Sequence, residues 1–152
     1  MVTRQLTNIL VPIDGSDASL KALDYALEFA HRFSSDLHIV TAYSLTEETY
    51  HLIQRALPRS MAESYERDVK ERNEQILAKA VEHARSVHPH LTITQTLIQG
   101  RPADKIVEIA STDQVDLIIM GSRGIGGIKG VILGSVADRV ADHAPCPVMI
   151  VK

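Results

Sequence analysis

Apolar and polar residues change their spacing several times along this chain, and each change marks a new element. Asn8-Ile9-Leu10-Val11-Pro12-Ile13 is an almost unbroken apolar run, the pattern of a strand covered on both faces in a parallel sheet. Asp14-Gly15-Ser16-Asp17 interrupts it. Ser16 or Asp17 can cap a helix in which Leu20, Leu23, Leu27 and Ala30 recur at helical spacing among Lys21, Asp24 and Glu28. Leu37 to Ala42 has the shortness and β-branched content of a second strand. From Ser44 to Pro58 no period emerges, so this stretch reads as a mobile loop or a lid-like segment with scope to carry function.

Charges dominate from Arg59 to His88, yet Met61, Tyr65, Val69, Ile76, Ala80 and Ala84 keep an apolar stripe among them. That predicts one long helix with a solvated outer face, ended by Pro89. Leu91, Ile93 and Leu97 then alternate with Thr92, Thr94 and Thr96 as in a strand. Gly100-Arg101-Pro102 is a turn that places proline at a first helical position, and Ile106, Val107 and Ala110 supply the inward stripe of the helix it opens. Val115 to Met120 is another buried strand, a glycine-rich loop follows, Ser135 to His143 reads as a short helix, and Pro147 to Val151 as a last strand. Five strands alternating with four helices predict an α/β fold: an open five-stranded parallel sheet, joined by right-handed crossovers, with helices on both faces. No linker, repeat or low-complexity segment divides residues 1–152, so a single domain is expected.

Composition narrows the function more than the fold. Hydrophobic residues at 45% and charged residues at 23% are those of an ordinary folded domain. A formal charge of -3 gives no general attraction to nucleic acid or to an anionic membrane, so neither is an expected partner. Cys146 is the single cysteine, which precludes an intrachain disulfide and fits a reducing compartment. The run Ile9 to Ile13 is too short for a signal core or a membrane span. A cytoplasmic protein is the expectation.

Ligands of open parallel sheets bind beyond the carboxyl ends of the strands, where the strand order reverses. Two loops suit that place: Asp14-Gly15-Ser16 after the first strand, and the segment from Gly121 to Gly130 after the fourth. The second holds five glycines in ten residues, at Gly121, Gly124, Gly126, Gly127 and Gly130, together with Arg123 and Lys129. Missing Cβ atoms let backbone N–H groups approach an anion, and the two side chains add positive charge. Gly134-Ser135 opens the last helix, whose free N–H groups and dipole would face the same anion. Tight turns share this composition, so glycine density alone does not decide between a turn and a phosphate site. The Walker pattern fails because Gly127, not lysine, follows Gly126, and the dinucleotide fingerprint fails because Lys129 stands where its last glycine belongs. His143 and Cys146 form one loose pair with no second pair to complete a zinc site. No carboxylate inside the glycine-rich loop could activate a water, and no Ser, His and Asp arrangement is apparent, so no catalytic residue is assigned.

The chain resembles the universal stress proteins, in the branch that binds ATP. That branch carries G-x-x-G, nine residues, then G-[ST], and Gly121, Gly124, Gly134 and Ser135 fall at those positions. The resemblance also covers Ile9 to Asp14, Gly100 with Ile106 to Ala110, Val115 to Ser122 and Cys146 to Val151. It implies a Rossmann-like sheet of order 3-2-1-4-5 and an adenine nucleotide at its edge. Asp14 would stand on the adenosine side, backbone near Ala42 against the base, and Gly121, Gly124, Gly134, Ser135 and Val136 around ribose and phosphates. Pro12, Met120 and Arg123 complete the expected binding set. A divalent cation such as Mg2+ would accompany the phosphates. The implied activity is regulatory, at most with slow hydrolysis, and acts through a protein partner that the sequence does not identify. The alternative is an ATP-using enzyme: Asp14-Gly15-Ser16-Asp17-Ala18-Ser19 loosely matches the S-G-G-x-D-S loop of ATP pyrophosphatases, without its leading Ser-Gly-Gly. In the implied strand order Pro147 to Val151 lies at an apolar sheet edge, which predicts a homodimer paired strand to strand.

Overall fold

In the computed structural model, which describes residues 5–45, 47–125 and 133–152, the elements run β1 (Asn8–Pro12), α1 (Asp17–Phe33), β2 (Asp36–Tyr43), α2 (Glu47–Ala56), α3 (Arg59–Val87), β3 (Ile93–Gln99), α4 (Pro102–Thr112), β4 (Leu117–Gly121), α5 (Ser135–His143) and β5 (Val148–Val151). The strands form one sheet, parallel throughout as the spacing predicted, in the order β3-β2-β1-β4-β5 that the resemblance implied. β1 is central: Leu10 stands opposite His38 of β2 on one side and Ile118 of β4 on the other.

Successive strand residues point to opposite faces, so each strand feeds two separate cores. Ile9, Val11, Leu37 and Ile39 meet Leu23 and Leu27 of α1 and Leu77 and Val81 of α3. Leu10, Val40, Ile118 and Met120 meet Ile106 and Ala110 of α4 and Ala137 and Val140 of α5. Full burial of one such aliphatic side chain contributes about 2 kcal/mol, which is why β1 and β4 read as continuous apolar runs.

Ser16 is the cap of α1: its hydroxyl accepts from the Ser19 N–H at 3.2 Å. The buried stripe of α1 is Ser19, Ala22, Leu23, Ala26, Leu27 and Ala30, and Leu20, expected inside, lies at the margin of that stripe and is exposed.

Two expectations fail around α2. The stretch from Ser44 to Pro58 is not a loop but contains the helix Glu47–Ala56, which breaks the simple alternation and makes five helices among the described residues. None of its residues is buried, although Tyr50 and Ile53 keep helical spacing. An electrostatic signal accompanies that spacing, with Glu47 and Glu48 in the first turn and Arg55 in the last, each complementing the helix dipole. In α3, Met61 and Tyr65 were expected inside and are exposed. A helix of 29 residues is about 44 Å long, whereas an eight-residue strand spans about 26 Å. Only the second half, with Leu77, Ala80, Val81 and Ala84, is packed against the sheet.

Candidate nucleotide-binding site

The strand order reverses between β1 and β4, and the loops that leave their carboxyl ends face each other there. The Asp14 carboxylate joins them. Its Oδ1 accepts from the Ser16 N–H at 2.9 Å within its own loop, and its Oδ2 accepts from the Ile125 N–H of the glycine-rich loop at 3.0 Å. The Ser16 hydroxyl adds a long bond to the Arg123 carbonyl at 3.4 Å. The base of the second loop is fixed by backbone bonds, from Ser122 N–H to the Val151 carbonyl at 2.8 Å and from Gly134 N–H to the Ser122 carbonyl at 2.7 Å.

Two glycines owe their identity to neighbouring protein atoms. A Cβ on Gly121 would stand 2.8 Å from the carbonyl carbon of Ala18 and 2.9 Å from the Ser19 nitrogen, so the α1 terminus reaches β4 only over a residue without a side chain. A Cβ on Gly124 would stand 2.5 Å from Asp14 Oδ2. Gly134 is the N-cap of α5, and its N–H is spent on Ser122. By helix geometry the N–H groups of Ser135, Val136 and Ala137 have no intrahelical acceptor, and the positive end of the dipole lies with them.

A cavity of about 240 Å³ opens between these loops, β2 and the N-termini of α4 and α5. Of the residues singled out from the sequence, Pro12, Asp14, Ala42, Met120 and Gly121 line it, and so do Arg123, Gly124, Gly134, Ser135 and Val136. Gly126, Gly127, Ile128, Lys129 and Gly130 lie outside the described residues. Sequence reasoning missed Ile13, Ser19, Pro102, Ile106, Ile125 and Ala137. Ile13 was legible as the end of the β1 run, but Pro102 and Ile106 reach the cavity only because α4 packs across β2. Ser19 is buried, accepts from the Asp14 N–H at 3.4 Å and donates to the Ser16 carbonyl at 2.9 Å, so it supports Asp14 from α1.

The lining is chemically divided. Ala42, Pro102 and Ile106, from β2 and α4, form an apolar wall; the loops bring Asp14 as the single carboxylate and Arg123 as the single cation among the described lining residues. Such a cavity offers a surface for a planar ring, acceptors for hydroxyls, and N–H donors with a guanidinium for an anion. His143 and Cys146 take no part: His143 Nδ1 is 2.9 Å from the Arg139 carbonyl, and Cys146 packs against the α4 and α5 layer. Among the described residues no group of three or more His, Cys, Asp or Glu side chains could hold a metal ion, and no helix is long and apolar enough to cross a membrane.

Comparison with known proteins agrees with this architecture. The sequence model of the Universal stress protein family matches residues 5–152. The universal stress protein YxiE of Bacillus subtilis is 36% identical over 152 residues, covering 95% of this chain and 97% of the relative. Among solved structures, the protein MJ0577 superposes with a TM-score of 0.81 at 23% identity, over 98% of this chain and 97% of the other, a likeness of fold. A universal stress protein in complex with cAMP superposes with a TM-score of 0.71 at 29% identity, over 98% and 99% of the two chains.

Proposed function

The chain belongs to the universal stress protein family, and from that membership we propose that it is a regulatory stress-response protein that binds ATP in the cavity between β1 and β4. The observation that carries this reading is the union of an apolar wall with N–H donors at one sheet edge, a division that matches a nucleotide's base and phosphates. The related protein complexed with cAMP supports an adenine nucleotide as the ligand class. In this reading the base lies against Ala42 and the α4 wall, the ribose near Asp14, and the phosphates against Gly121, Gly124 and the Ser135-Val136 end of α5, with Arg123 at hand and Pro12 and Met120 as floor. A divalent cation accompanies the phosphates in this reading, held chiefly by the phosphate oxygens and its own waters, as Mg2+ usually is at such sites.

A regulatory role accords with the lining: donors and walls that bind, with Asp14 held by two backbone bonds instead of standing as a base toward the loop. The protein acts in the cytoplasm, as its lone cysteine suggests, and as a homodimer. Among the described residues β5 is an edge strand paired with β4, and Val148-Met149-Ile150-Val151 carries no charge to blunt it.

Calorimetry with ATP and Mg2+ tests the central claim. Wild-type protein is expected to bind, and Ala42→Phe, which fills the apolar wall, to lose binding; a wild type that binds no adenine nucleotide would overturn the reading. Turnover of about 1 per second or faster would replace regulation by catalysis. Light scattering decides the dimer, and a monomer at tens of micromolar would remove it.

A further inference from the structure

Asp14 does more than end a strand. Its Oδ1 bond to the Ser16 N–H closes a local turn, which alone would suffice to stop β1. Its Oδ2 reaches a residue 111 positions away, the Ile125 N–H, and no turn requires that. Gly124 keeps the path open, since a Cβ there would overlap Oδ2. Behind Asp14 stands the buried Ser19, so a continuous chain of contacts runs from α1 through Ser19 and Asp14 to the glycine-rich loop.

We propose that Asp14 is a positioning residue for the phosphate end of the site: by bridging the two loops it sets where the donors around Gly124 and Ile125 stand. This rests on the ATP reading and adds to it, because a ribose contact alone would place the effect of Asp14 on the nucleoside. A bridge places it on the phosphates. The carboxylate suits the task because its two oxygens accept from two donors at once. A carboxamide has one acceptor oxygen, so Asp14→Asn can hold Ser16 or Ile125 but not both.

The test compares ATP with adenosine on wild type and Asp14→Asn, each in Mg2+ and in EDTA, and follows amide hydrogen exchange at Ile125. The expected result is an ATP affinity lowered about tenfold against about threefold or less for adenosine, in both media, with faster exchange at Ile125. Equal losses for the two ligands would assign Asp14 to the ribose alone and overturn the proposal. A loss for ATP that vanishes in EDTA would assign it to a cation contact, with the same consequence. Wild-type protein that binds neither ligand overturns the ATP reading itself. In that case faster exchange at Ile125 in the variant still upholds the bridge, and unchanged exchange overturns it.

Discussion

Two aspartates stand at opposite ends of the central strand pair and use the same group differently. Asp116, just before β4, accepts through one oxygen from the Thr7 N–H at 2.9 Å, the Thr7 hydroxyl at 2.7 Å and the Asn8 N–H at 3.0 Å. All three donors belong to the entry of β1, so this carboxylate bolts two neighbouring strands at the amino end of the sheet. Asp14, just past β1 at the carboxyl end, divides its two oxygens between separate loops and lines a cavity. A carboxylate has about four lone-pair sites, so the two bonds of Asp14 among the described residues leave capacity toward the cavity. The path of the chain accounts for the difference. At the amino end a strand begins beside its neighbour, and at the carboxyl end two crossovers depart to opposite faces and leave a crevice.

The strongest way to break this contrast is to show that the open end tolerates packing errors. Gly121→Val would drive a side chain into the backbone of Ala18 and Ser19, which cannot rotate away, and should destabilise the protein by about 3 kcal/mol. Denaturant unfolding measures it, and a change within experimental error would mean that the α1 terminus floats over β4. Next in size, Asp116→Ala should cost about 2 kcal/mol, roughly 5 °C in melting temperature, with the affinity for ATP unaltered. Paired melting and calorimetry would show whether the bolt is as purely structural as its bonds suggest. Asp14→Ala should do the reverse, changing stability by about 1 kcal/mol or less while ATP binding falls clearly. Loss of stability equal to that of Asp116→Ala would erase the distinction.

The smallest expected effect is a pH dependence on β2, beside the central strand. His38 lies between the Thr96 hydroxyl at 2.9 Å and the Asp113 carboxylate at 3.3 Å, and burial holds its imidazole below its ordinary pKa of 6.5, an effect that Asp113 opposes without overcoming. The folded protein thus binds this proton less readily than the unfolded chain. Stability from this residue is complete above about pH 6.5 and declines as pH falls through the lowered folded value. His38→Gln should flatten the stability profile below pH 6.5, as urea titrations across that window would reveal.

Much of the site was legible because it is written in contiguous segments. The run from Asn8 to Ile13, the spacing of Gly121, Gly124, Gly134 and Ser135, and the extent of α5 all depend on local pattern, and the structure brings the end of that run, those glycines and the start of α5 around one cavity. The misses have separate physical causes. Met61 and Tyr65 have the right period for burial, but period reports a helix face and not whether the sheet extends beneath it, and Leu20 lies at the margin of the α1 stripe. α2 was missed because it is short: Tyr50 and Ile53 keep helical spacing, but over ten residues, none of them buried, the period is easily overlooked. The glycines were visible as residues, yet the atoms that require them at Gly121 and Gly124 come from α1 and from Asp14, distant in sequence.

The sequence by itself determined the parallel α/β architecture, the two loops at its carboxyl edge and the family to which the chain belongs, because apolar period, turn chemistry and motif spacing are local properties. Only the tertiary structure decided that Asp14 spans those two loops, that Asp116 bolts β1 to β4, and that Pro102 and Ile106 turn one side of the cavity into an apolar wall. Each of these is a contact between segments far apart in the chain. The packing of strands and helices into one sheet sets their distances, and no local pattern records them.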